Sequence, residues 1–373
     1  LVVPKPDGDP FHKNAFFNPL MEFNRSAASL AFYAAAKQLG KKMVFADGLC
    51  ATGARGLRFL NENSALAEKC FFIDANNDVI PLLEKNIELN NAGGKSVVVN
   101  EGFNTGLKKT GEKMDWIELD PFGSSLDFLQ TSFACLADNS FLSVTGTDLA
   151  TLCAAKKQNI EAAKKTYGCS IFRNDFVHEM ALRVLVAKTI LLADKNGFRA
   201  APKISFFQGH AIKTILECRR GETGLGKKIG FVNECVKCFE KTISLKPIPT
   251  CSCGARNHHA GPLWLGELID EGFVREMIEE NNKRDYKVKK ALGKLLELLV
   301  GESGFPPYCY FIHAEASRLN ASCPKKTFVL EKLRKKGFKA CETSFGPKLI
   351  KTNAGRRELC EIIISSRKEN EKN

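Results

Sequence analysis

Short apolar runs alternate with amphipathic stretches along the first 150 residues of the chain. The apolar runs have the length of strands, and the stretches between them show the three- and four-residue spacing of helices. The predicted strands cover 43–49, 70–75, 96–100, 114–119 and 141–145, and the predicted helices cover 54–61, 78–90 and 124–137. Continuous apolar strands separated by helices are typical of a parallel sheet covered on both faces. The pattern therefore predicts an α/β fold.

The pattern changes in the second half of the chain. A long helix over 174–194 precedes two predicted strands over 204–218 and 228–235, which the Gly-rich turn 221–226 would join as an antiparallel hairpin at the sheet edge. Further helices are predicted over 267–281, 287–300 and 325–336, and strands over 308–316, near 338–343 and over 359–365. We place a domain boundary near residue 262, between a larger domain over 1–262 and a smaller α+β domain over 263–373.

Composition excludes several classes of protein. Among the 373 residues, 44% are hydrophobic and 27 are Phe, so the chain can bury a core and is not disordered. No apolar run approaches the ~18 residues of a membrane span, and no basic stretch precedes an apolar one at the start as in a signal peptide. Ten of the 14 Cys residues lie singly in apolar segments, as thiols do in a reducing compartment. We expect a cytoplasmic, monomeric protein without a membrane partner.

The net charge of +13 is concentrated in the second half of the chain. Residues 1–200 hold 23 Lys and Arg against 22 Asp and Glu, whereas residues 318–357 hold twelve basic and two acidic residues. Such asymmetry favours a nucleic-acid partner, although a solvated Lys-rich surface would give the same count. The candidate phosphate contacts are Lys325, Lys326, Lys332, Arg334, Lys335, Lys336, Lys339, Lys348 and Lys351, followed by Arg356 and Arg357.

Two features at the ends of the first two predicted strands indicate a nucleoside-containing ligand. The first strand leads into a turn of small residues, 47–56, that opens a helix, so that a ligand could approach backbone N–H groups closely. The second strand ends at Asp74, where doubly wound folds place a carboxylate that binds ribose hydroxyls. A plain strand-to-helix turn is the alternative for the first feature.

The sequence Asp120-Pro121-Phe122-Gly123-Ser124 follows the fourth predicted strand. An exocyclic amine on a base is a poor nucleophile because its lone pair is delocalised into the ring. A carboxylate at Asp120 could accept its N–H bonds and take up its proton as a methyl group is transferred. The aromatic ring of Phe122 could stack on the base. The alternative is a type I turn with Pro at its second position.

Four Cys residues come in two close pairs. Cys235 and Cys238 are separated by two residues, and Cys251 and Cys253 by one. Two such pairs joined by a short connection can converge tetrahedrally on Zn²⁺. We predict a structural zinc site at the end of the edge hairpin. His258 and His259 follow closely and could replace one Cys, but we expect them to be exposed polar residues of a basic loop.

Several of these motifs, in this order, resemble the tRNA (guanine-26-N2)-dimethyltransferases over almost the whole chain. The resemblance is carried by segments 16–19, 24–25, 51–56, 120–124, 145–148, 178–179, 182–183, 261–266 and 350–354. It implies a Rossmann-like class I methyltransferase sheet and transfer of a methyl group from S-adenosylmethionine to N2 of guanine 26 in tRNA, giving N2,N2-dimethylguanosine. The residues 263–373 would then form a basic tRNA-binding domain.

The resemblance also implies roles for individual residues. Arg25 and Arg55 would help to hold the methyl donor, Asp74 would bind its ribose, and Asp120 would be the catalytic carboxylate, followed by Pro121 and Phe122. Phe16 would form a second wall for the guanine, with a core aromatic as the alternative.

One departure concerns the methyl-donor site. The family usually has Asp-Ala-Asn after the third strand, where this chain has Gly102-Phe103-Asn104. Glu101 could supply the missing carboxylate, and Phe103 would lie against the adenine ring. Two other functions stay open at this point: a DNA amino-methyltransferase, and a zinc-containing RNA-binding protein with a decayed donor site.

Overall fold

The computed structural model of the chain describes residues 2–3, 17–221 and 224–370. Contacts within the chain group it into two compact units, each made of three segments. The first unit comprises Leu1–Thr147, Thr189–Thr223 and Ile269–Leu296, and the second comprises Asp148–Lys188, Gly224–Leu268 and Glu297–Asn373. The units do not follow a single boundary in the sequence. The assignment of methyltransferase and tRNA-binding roles to 1–262 and 263–373 stays a prediction.

The elements are numbered along the chain. The strands are β1 (Met43–Gly48), β2 (Ala67–Ile73), β3 (Ser96–Val99), β4 (Met114–Leu119), β5 (Leu136–Gly146), β6 (Phe198–Gln208), β7 (Ala211–Arg220), β8 (Ile229–Cys235), β9 (Lys241–Ser244), β10 (Asn257–Trp264), β11 (Tyr310–Phe311), β12 (Ala340–Glu342) and β13 (Leu349–Thr352). The α-helices are α1 (Glu22–Leu39), α2 (Ala54–Glu62), α3 (Ile80–Leu89), α4 (Phe103–Lys109), α5 (Leu126–Cys135), α6 (Leu149–Leu152), α7 (Lys157–Tyr167), α8 (Val177–Lys195), α9 (Glu271–Lys283), α10 (Lys289–Gly301), α11 (Ile312–Arg318), α12 (Lys326–Lys335) and α13 (Arg356–Asn370).

A seven-stranded sheet forms the centre of the first unit, in the order β3-β2-β1-β4-β5-β7-β6. Strands β1 to β5 pair in parallel, and β7 pairs antiparallel with β5 and β6. The helices α1 and α2 pack on this sheet through aromatic rings. Phe32 of α1 stacks on Phe59 of α2 at 4.6 Å and meets Trp116 of β4 edge-on at 5.6 Å. The α/β class predicted from the alternating pattern is confirmed.

The edge hairpin of this sheet differs from the prediction. The expected single strand over 204–218 is two strands, β6 and β7, which turn at Gly209–His210. Gly209 has a φ of +61°, a conformation that glycine adopts without steric cost. The expected second strand, β8, pairs instead with β9 and β10 in a separate three-stranded sheet of the second unit.

Two other segments of the second unit differ from the prediction. The expected strand over 308–316 is the short strand β11 followed by the helix α11. The expected strand over 359–365 lies within the helix α13, whose buried positions Leu359, Ile362 and Ile363 have helical spacing. These residues belong to an apolar core that also includes Tyr310 of β11 and Val329 of α12.

The long helix predicted over 174–194 is observed as α8. Many of its side chains are buried, including Met180, Leu182, Val184, Leu185 and Ile190. Across the described residues, no helix combines the length and the apolar character that crossing a membrane requires.

Candidate active site and cysteine cluster

A row of polar side chains lies near the carboxyl ends of the parallel strands. Register partners in a pleated sheet point to the same face, and so do residues two apart on one strand. Asp47 on β1 is the partner of Glu118 on β4, and Thr145 on β5 is the partner of Lys213 on β7. Asp120 follows Glu118 by two residues, just beyond the end of β4. The sheet register therefore brings charged groups from three strands and the following turn to one face.

Lys213 and Glu118 form a buried ion pair in this row. Lys213 Nζ donates to Glu118 Oε1 at 2.5 Å and to Thr145 Oγ1 at 3.0 Å, and the Lys213 side chain is 1% exposed. Trp116 Nε1 donates to the other carboxylate oxygen of Glu118 at 3.2 Å. Burial lowers the pKa of Lys213 although Glu118 acts to raise it. Neither Lys213 nor Glu118 is among the residues predicted from the sequence. A lysine within the apolar pattern of β7 was the one feature that could have indicated Lys213.

Arg55 joins this ion pair to Asp120. From the start of α2, Arg55 Nη2 donates to Asp120 Oδ2, and its Nη1 lies 3.1 Å from Glu118 Oε1. Burial acts to lower the pKa of Arg55, but Glu118 and Asp120 raise it above its ordinary value. The Asp120 side chain is 23% exposed, whereas the side chains of Arg55 and Glu118 are 8% and 0% exposed. We call Arg55, Glu118, Asp120 and Lys213 the strand-end cluster; Asp120 is its member with the greatest access to solvent.

Asp47 fixes the start of α2 beside this cluster. Its Oδ2 accepts a hydrogen bond from Gly56 N at 2.8 Å, within the first turn of the helix that carries Arg55. Burial raises the pKa of Asp47 to about 7, and Arg55 opposes this effect. The local role of Asp47 is thus to orient the helix end that presents Arg55.

The turn after β4 presents an aromatic side chain to solvent. Pro121 is buried, whereas Phe122 is 65% exposed. Gly123 has a φ of +82°, and its N–H donates to Thr147 Oγ1 at 2.7 Å. The predicted motif therefore forms a fixed turn with the carboxylate of Asp120 and the ring of Phe122 close in sequence and both accessible.

The turn after β1 is tight and is tied to the end of β2. Three of its residues have left-handed backbone conformations: Leu49 at φ 59°, Ala51 at φ 46° and Gly53 at φ 73°. A Cβ atom on Gly53 would lie 2.4 Å from Leu83 Cδ1, so a larger residue does not fit. Ala51 N–H donates to Asp74 Oδ2 at 2.8 Å, which brings the two predicted donor-site features together.

The segment after β3 is where the sequence departs from the family pattern. Phe103 is 3% exposed, and its ring lies against Gly48, where a Cβ atom would come within 2.4 Å of the ring. Gly102 is exposed at the start of α4. The carboxylate of Glu101 accepts from Lys109 Nζ on that helix. Roles for Glu101, Gly102 and Phe103 in donor binding stay predictions.

Arg25 lies on α1. Its guanidinium donates through both terminal nitrogens to the carbonyl of Asn18 at 3.2 Å and lies 4.8 Å from the centre of the Phe17 ring. Burial, and then the positive charge of Arg55, lower the pKa of Arg25 to about 10. Phe16, the predicted second wall for the base, lies outside the described residues.

The four paired Cys residues converge in the second unit. Their Sγ atoms all lie within 4.8 Å of one another, with Cys235 Sγ 3.5 Å from Cys253 Sγ and Cys238 Sγ 3.6 Å from Cys251 Sγ. Backbone N–H groups of Lys237 and Cys238 donate to Cys235 Sγ at 3.4 Å. Cys235 ends β8, and the other three Cys lie in the connections from β8 to β9 and from β9 to β10. The Cys cluster is therefore at one end of the sheet β10-β8-β9, and not at the edge hairpin of the large sheet as predicted.

The two histidines near the Cys cluster have other surroundings. The His258 ring stacks on Phe172 with centroids 5.3 Å apart, and the His259 ring meets Phe231 edge-on at 6.1 Å. Among the described residues, the group of possible metal ligands around these sulfurs contains the four Cys alone. The four Cys therefore form the candidate ligand set without a histidine, as expected, but His258 and His259 lie on β10 and not in a loop.

Arg356 ties the start of α13 to the Cys cluster. Its Nη1 donates to the carbonyl of Cys238 at 2.9 Å, and its Nε donates to Glu315 Oε2 at 2.6 Å. The ring of Phe239 lies between Arg356 and Arg318, 5.3 Å and 4.3 Å from their guanidinium carbons. Arg356 thus forms a structural ion pair with Glu315, whereas the side chain of its neighbour Arg357 is 87% exposed.

The predicted phosphate contacts fall into two groups. Lys351 is buried, with a side chain that is 2% exposed, and its Nζ donates to Glu179 Oε1 at 2.5 Å. Its predicted contact with a nucleic acid is therefore wrong. Lys335, Lys336 and Lys339 are exposed on or after α12, where a polyanion could reach them.

The sheet order, the tight turn after β1 and the acidic residues after β2 and β4 define a class I methyltransferase fold. The family model for N2,N2-dimethylguanosine tRNA methyltransferases matches residues 6–364, and the chain belongs to this family. The family predicted from the order of the motifs is confirmed.

Known proteins support this assignment over more than nine-tenths of the chain. A tRNA (guanine(26)-N(2))-dimethyltransferase of Methanobrevibacter smithii is 31% identical over 93% of this chain and 90% of its own length. A tRNA (guanine(26)-N(2)/guanine(27)-N(2))-dimethyltransferase of Aquifex aeolicus is 29% identical over 92% of this chain and 88% of its own length. The structure of Trm1 from Pyrococcus horikoshii in complex with S-adenosyl-L-methionine aligns with a TM-score of 0.85 at 28% identity, covering 97% of this chain and 96% of that one.

Proposed function

We propose that this chain transfers methyl groups from S-adenosylmethionine to N2 of guanine 26 in tRNA, giving N2,N2-dimethylguanosine. The observation that carries the proposal is the position of Asp120. It is a partly exposed carboxylate just after β4, and it forms an ion pair with the buried Arg55. Membership of the family supports the substrate and the donor. The DNA methyltransferase and the inactive RNA-binding protein have no comparable support.

Asp120 would act on the acceptor amine. Its carboxylate accepts an N–H of the guanine amine, which draws electron density onto nitrogen, and then takes up the proton that leaves when the N–C bond forms. The exposed ring of Phe122 would stack on a base turned out of the tRNA. Buried Pro121 fixes the turn between these two groups. Phe16 would form the opposite wall of the base pocket.

The methyl donor would lie at the ends of β1, β2 and β3. The tight turn at 49–53 lets a ligand approach the backbone closely. Asp74, which Ala51 N–H and Asn76 N–H orient, retains lone pairs for ribose hydroxyls. When bound, S-adenosylmethionine supplies a methyl group on a positively charged sulfur. Arg25 and Arg55 would balance the carboxylate end of the donor, and the segment 101–103 would contact its adenine.

Nucleoside mass spectrometry tests this function directly. tRNA with guanine at position 26, the same tRNA with adenine at that position, and duplex DNA would each be incubated with the protein and labelled donor. We expect label only in N2-methylated and N2,N2-dimethylated guanosine from the first substrate. Label in DNA would support the amino-methyltransferase alternative, and a protein that binds no donor by calorimetry would support the inactive RNA-binding alternative.

We propose that the second unit binds the tRNA backbone through exposed lysines. Lys335, Lys336 and Lys339 are solvent-exposed, and Lys348 is exposed between β12 and β13. Lysine contacts to phosphates position an RNA without reading its sequence. Recognition of the base would then depend on the pocket around Asp120 and on tRNA shape.

We also propose that the Cys cluster binds one structural Zn²⁺. With Zn–S bonds of ~2.3 Å, tetrahedral geometry separates neighbouring sulfurs by about 3.8 Å. The two shortest observed separations, 3.5 Å and 3.6 Å, are close to this value, and the donor set of four thiolates suits zinc. Four protein ligands leave no open position, so the ion would stabilise the second unit without taking part in methyl transfer.

We propose a monomeric protein in the cytoplasm. Its cysteines, all within the described part of the chain, form no disulfide, as expected in a reducing compartment. Light scattering of the purified protein, with and without tRNA, would test the oligomeric state.

A further inference from the structure

Lys213 is the member of the strand-end cluster that neither the motifs nor the proposed reaction explains. It lies on β7, which is separated from the strand of Asp120 by β5. A buried ammonium group is unfavourable unless it is paired, and Lys213 is paired with Glu118. Burying Lys213 costs desolvation free energy, and it is buried beside the candidate catalytic carboxylate. The Lys213–Glu118 pair therefore needs a functional explanation as well as a structural one.

Lys213 and Arg55 both form an ion pair with the same oxygen of Glu118. Glu118 Oε1 lies 2.5 Å from Lys213 Nζ and 3.1 Å from Arg55 Nη1. The other terminal nitrogen of Arg55 contacts Asp120. Arg55 therefore lies between two carboxylates, and Lys213 neutralises the inner one.

The removal of Lys213 would change the balance between these carboxylates. Glu118 would keep its negative charge in a buried place and would attract the Arg55 guanidinium more strongly, because Coulomb interactions are strong where water is excluded. Asp120 would then lose the group that fixes its orientation.

We propose that Lys213 is a positioning residue for methyl transfer, which neutralises Glu118 so that Arg55 stays on Asp120. This inference rests on the proposed function, because it concerns the rate of that reaction. It makes Lys213 act through Arg55, without contact with the tRNA or the donor. A prediction specific to this arrangement is that removing Glu118 as well should repair the loss of Lys213.

The test compares Lys213→Met with the double variant Lys213→Met/Glu118→Gln. Lys203→Met is the control, because Lys203 is also a largely buried lysine of this sheet but pairs with Glu217 at 3.2 Å and Asp270 at 2.8 Å. The measurements are kcat and KM at saturating donor, donor Kd and the thermal midpoint. We expect Lys213→Met to lower kcat about tenfold, with KM for tRNA nearly unchanged. Donor Kd should change much less than kcat, because Arg25 would still balance the donor carboxylate. We expect the double variant to recover most of kcat, and the control to keep it.

If the wild-type protein is active, two results would overturn the proposal. One is a Lys213→Met protein with wild-type kcat. The other is a folded double variant as slow as Lys213→Met, which would mean that Lys213 acts on the substrate itself. If Lys213→Met does not fold, Lys213→Arg and the double variant decide the question, since both should be active. An inactive wild-type protein would contradict the proposed function instead.

Discussion

The two units each contain a buried charge cluster, and the clusters differ in one respect. The strand-end cluster of the first unit ends in Asp120, whose side chain is 23% exposed. In the second unit, Glu179 Oε1 accepts from Arg183 Nε at 2.9 Å and from Lys351 Nζ at 2.5 Å, and no side chain of the three is more than 5% exposed. We call these three residues the sealed cluster. Similar residue types thus form one cluster that can act on a ligand and one that can only stabilise the fold.

This difference separates the expected effects of mutations. Changes in the sealed cluster or the Cys cluster should lower stability and leave the chemistry of the folded protein intact. A change at Asp120 should lower the rate and leave stability nearly intact.

The Cys cluster should give the largest effect. The double variant Cys235→Ser/Cys238→Ser removes two of four ligands, so we expect loss of about one zinc per chain and a stability loss on the order of 5 kcal/mol or more. Metal analysis and thermal unfolding check this, with Cys323→Ser, an exposed single cysteine, as the control. Donor affinity of the folded variant should be unchanged. A metal-free wild-type protein of full stability would remove the zinc proposal.

Lys351→Met should cause the second-largest loss, again of folding stability. It leaves Glu179 as a buried carboxylate with one cationic partner fewer, and breaking a buried ion pair from one side typically costs ~3–5 kcal/mol. Chemical denaturation should show this loss, whereas Lys348→Met, which changes an exposed lysine nearby in sequence, should cost almost nothing. If both variants had the stability of the wild type, the sealed cluster would not stabilise the fold.

Asp120→Ala should lower kcat by ~10²-fold or more, equivalent to about 2.7 kcal/mol, because the acceptor amine loses its proton acceptor. Calorimetry should find donor affinity nearly unchanged, and the thermal midpoint should move little because Asp120 is partly exposed. Asp138→Ala is the matched control, since Asp138 is an exposed carboxylate near the amino end of β5. Retention of more than about a tenth of kcat by Asp120→Ala would exclude the catalytic role.

The contrast between the clusters also explains what the sequence could predict. Strands β1 to β4 are predicted to within three residues because their apolar runs are continuous and bounded by turns, whereas β5 begins five residues before its predicted start. Asp120 and the four Cys were found because their chemistry is visible in short motifs. Glu118 and Lys213 are far apart in the sequence and become partners only through the order β4-β5-β7, which the pattern did not predict.

Burial of charge was the other limit of the sequence analysis. Lys351 and Lys348 both belong to one basic stretch, and only the fold shows that the first is buried and the second exposed. Likewise, the β-branched residues of 359–365 favour a strand locally, but the apolar core of the second unit stabilises the helical spacing of Leu359, Ile362 and Ile363. Tertiary packing decided both cases.

The smallest effect tests whether the second unit also acts on the substrate. Lys335→Glu/Lys336→Glu/Lys339→Glu reverses three exposed charges, and we expect KM for tRNA to rise about tenfold, with a flatter dependence on salt. Each lost phosphate contact removes somewhat under one unit from the slope of log affinity against log salt concentration. The control Lys287→Glu/Lys290→Glu/Lys294→Glu makes the same change in net charge at exposed lysines of the first unit. If the two triple variants had equal salt slopes, the tRNA would respond only to net charge. The basic stretch would then be a solvated surface, and the contribution of the second unit would be structural alone.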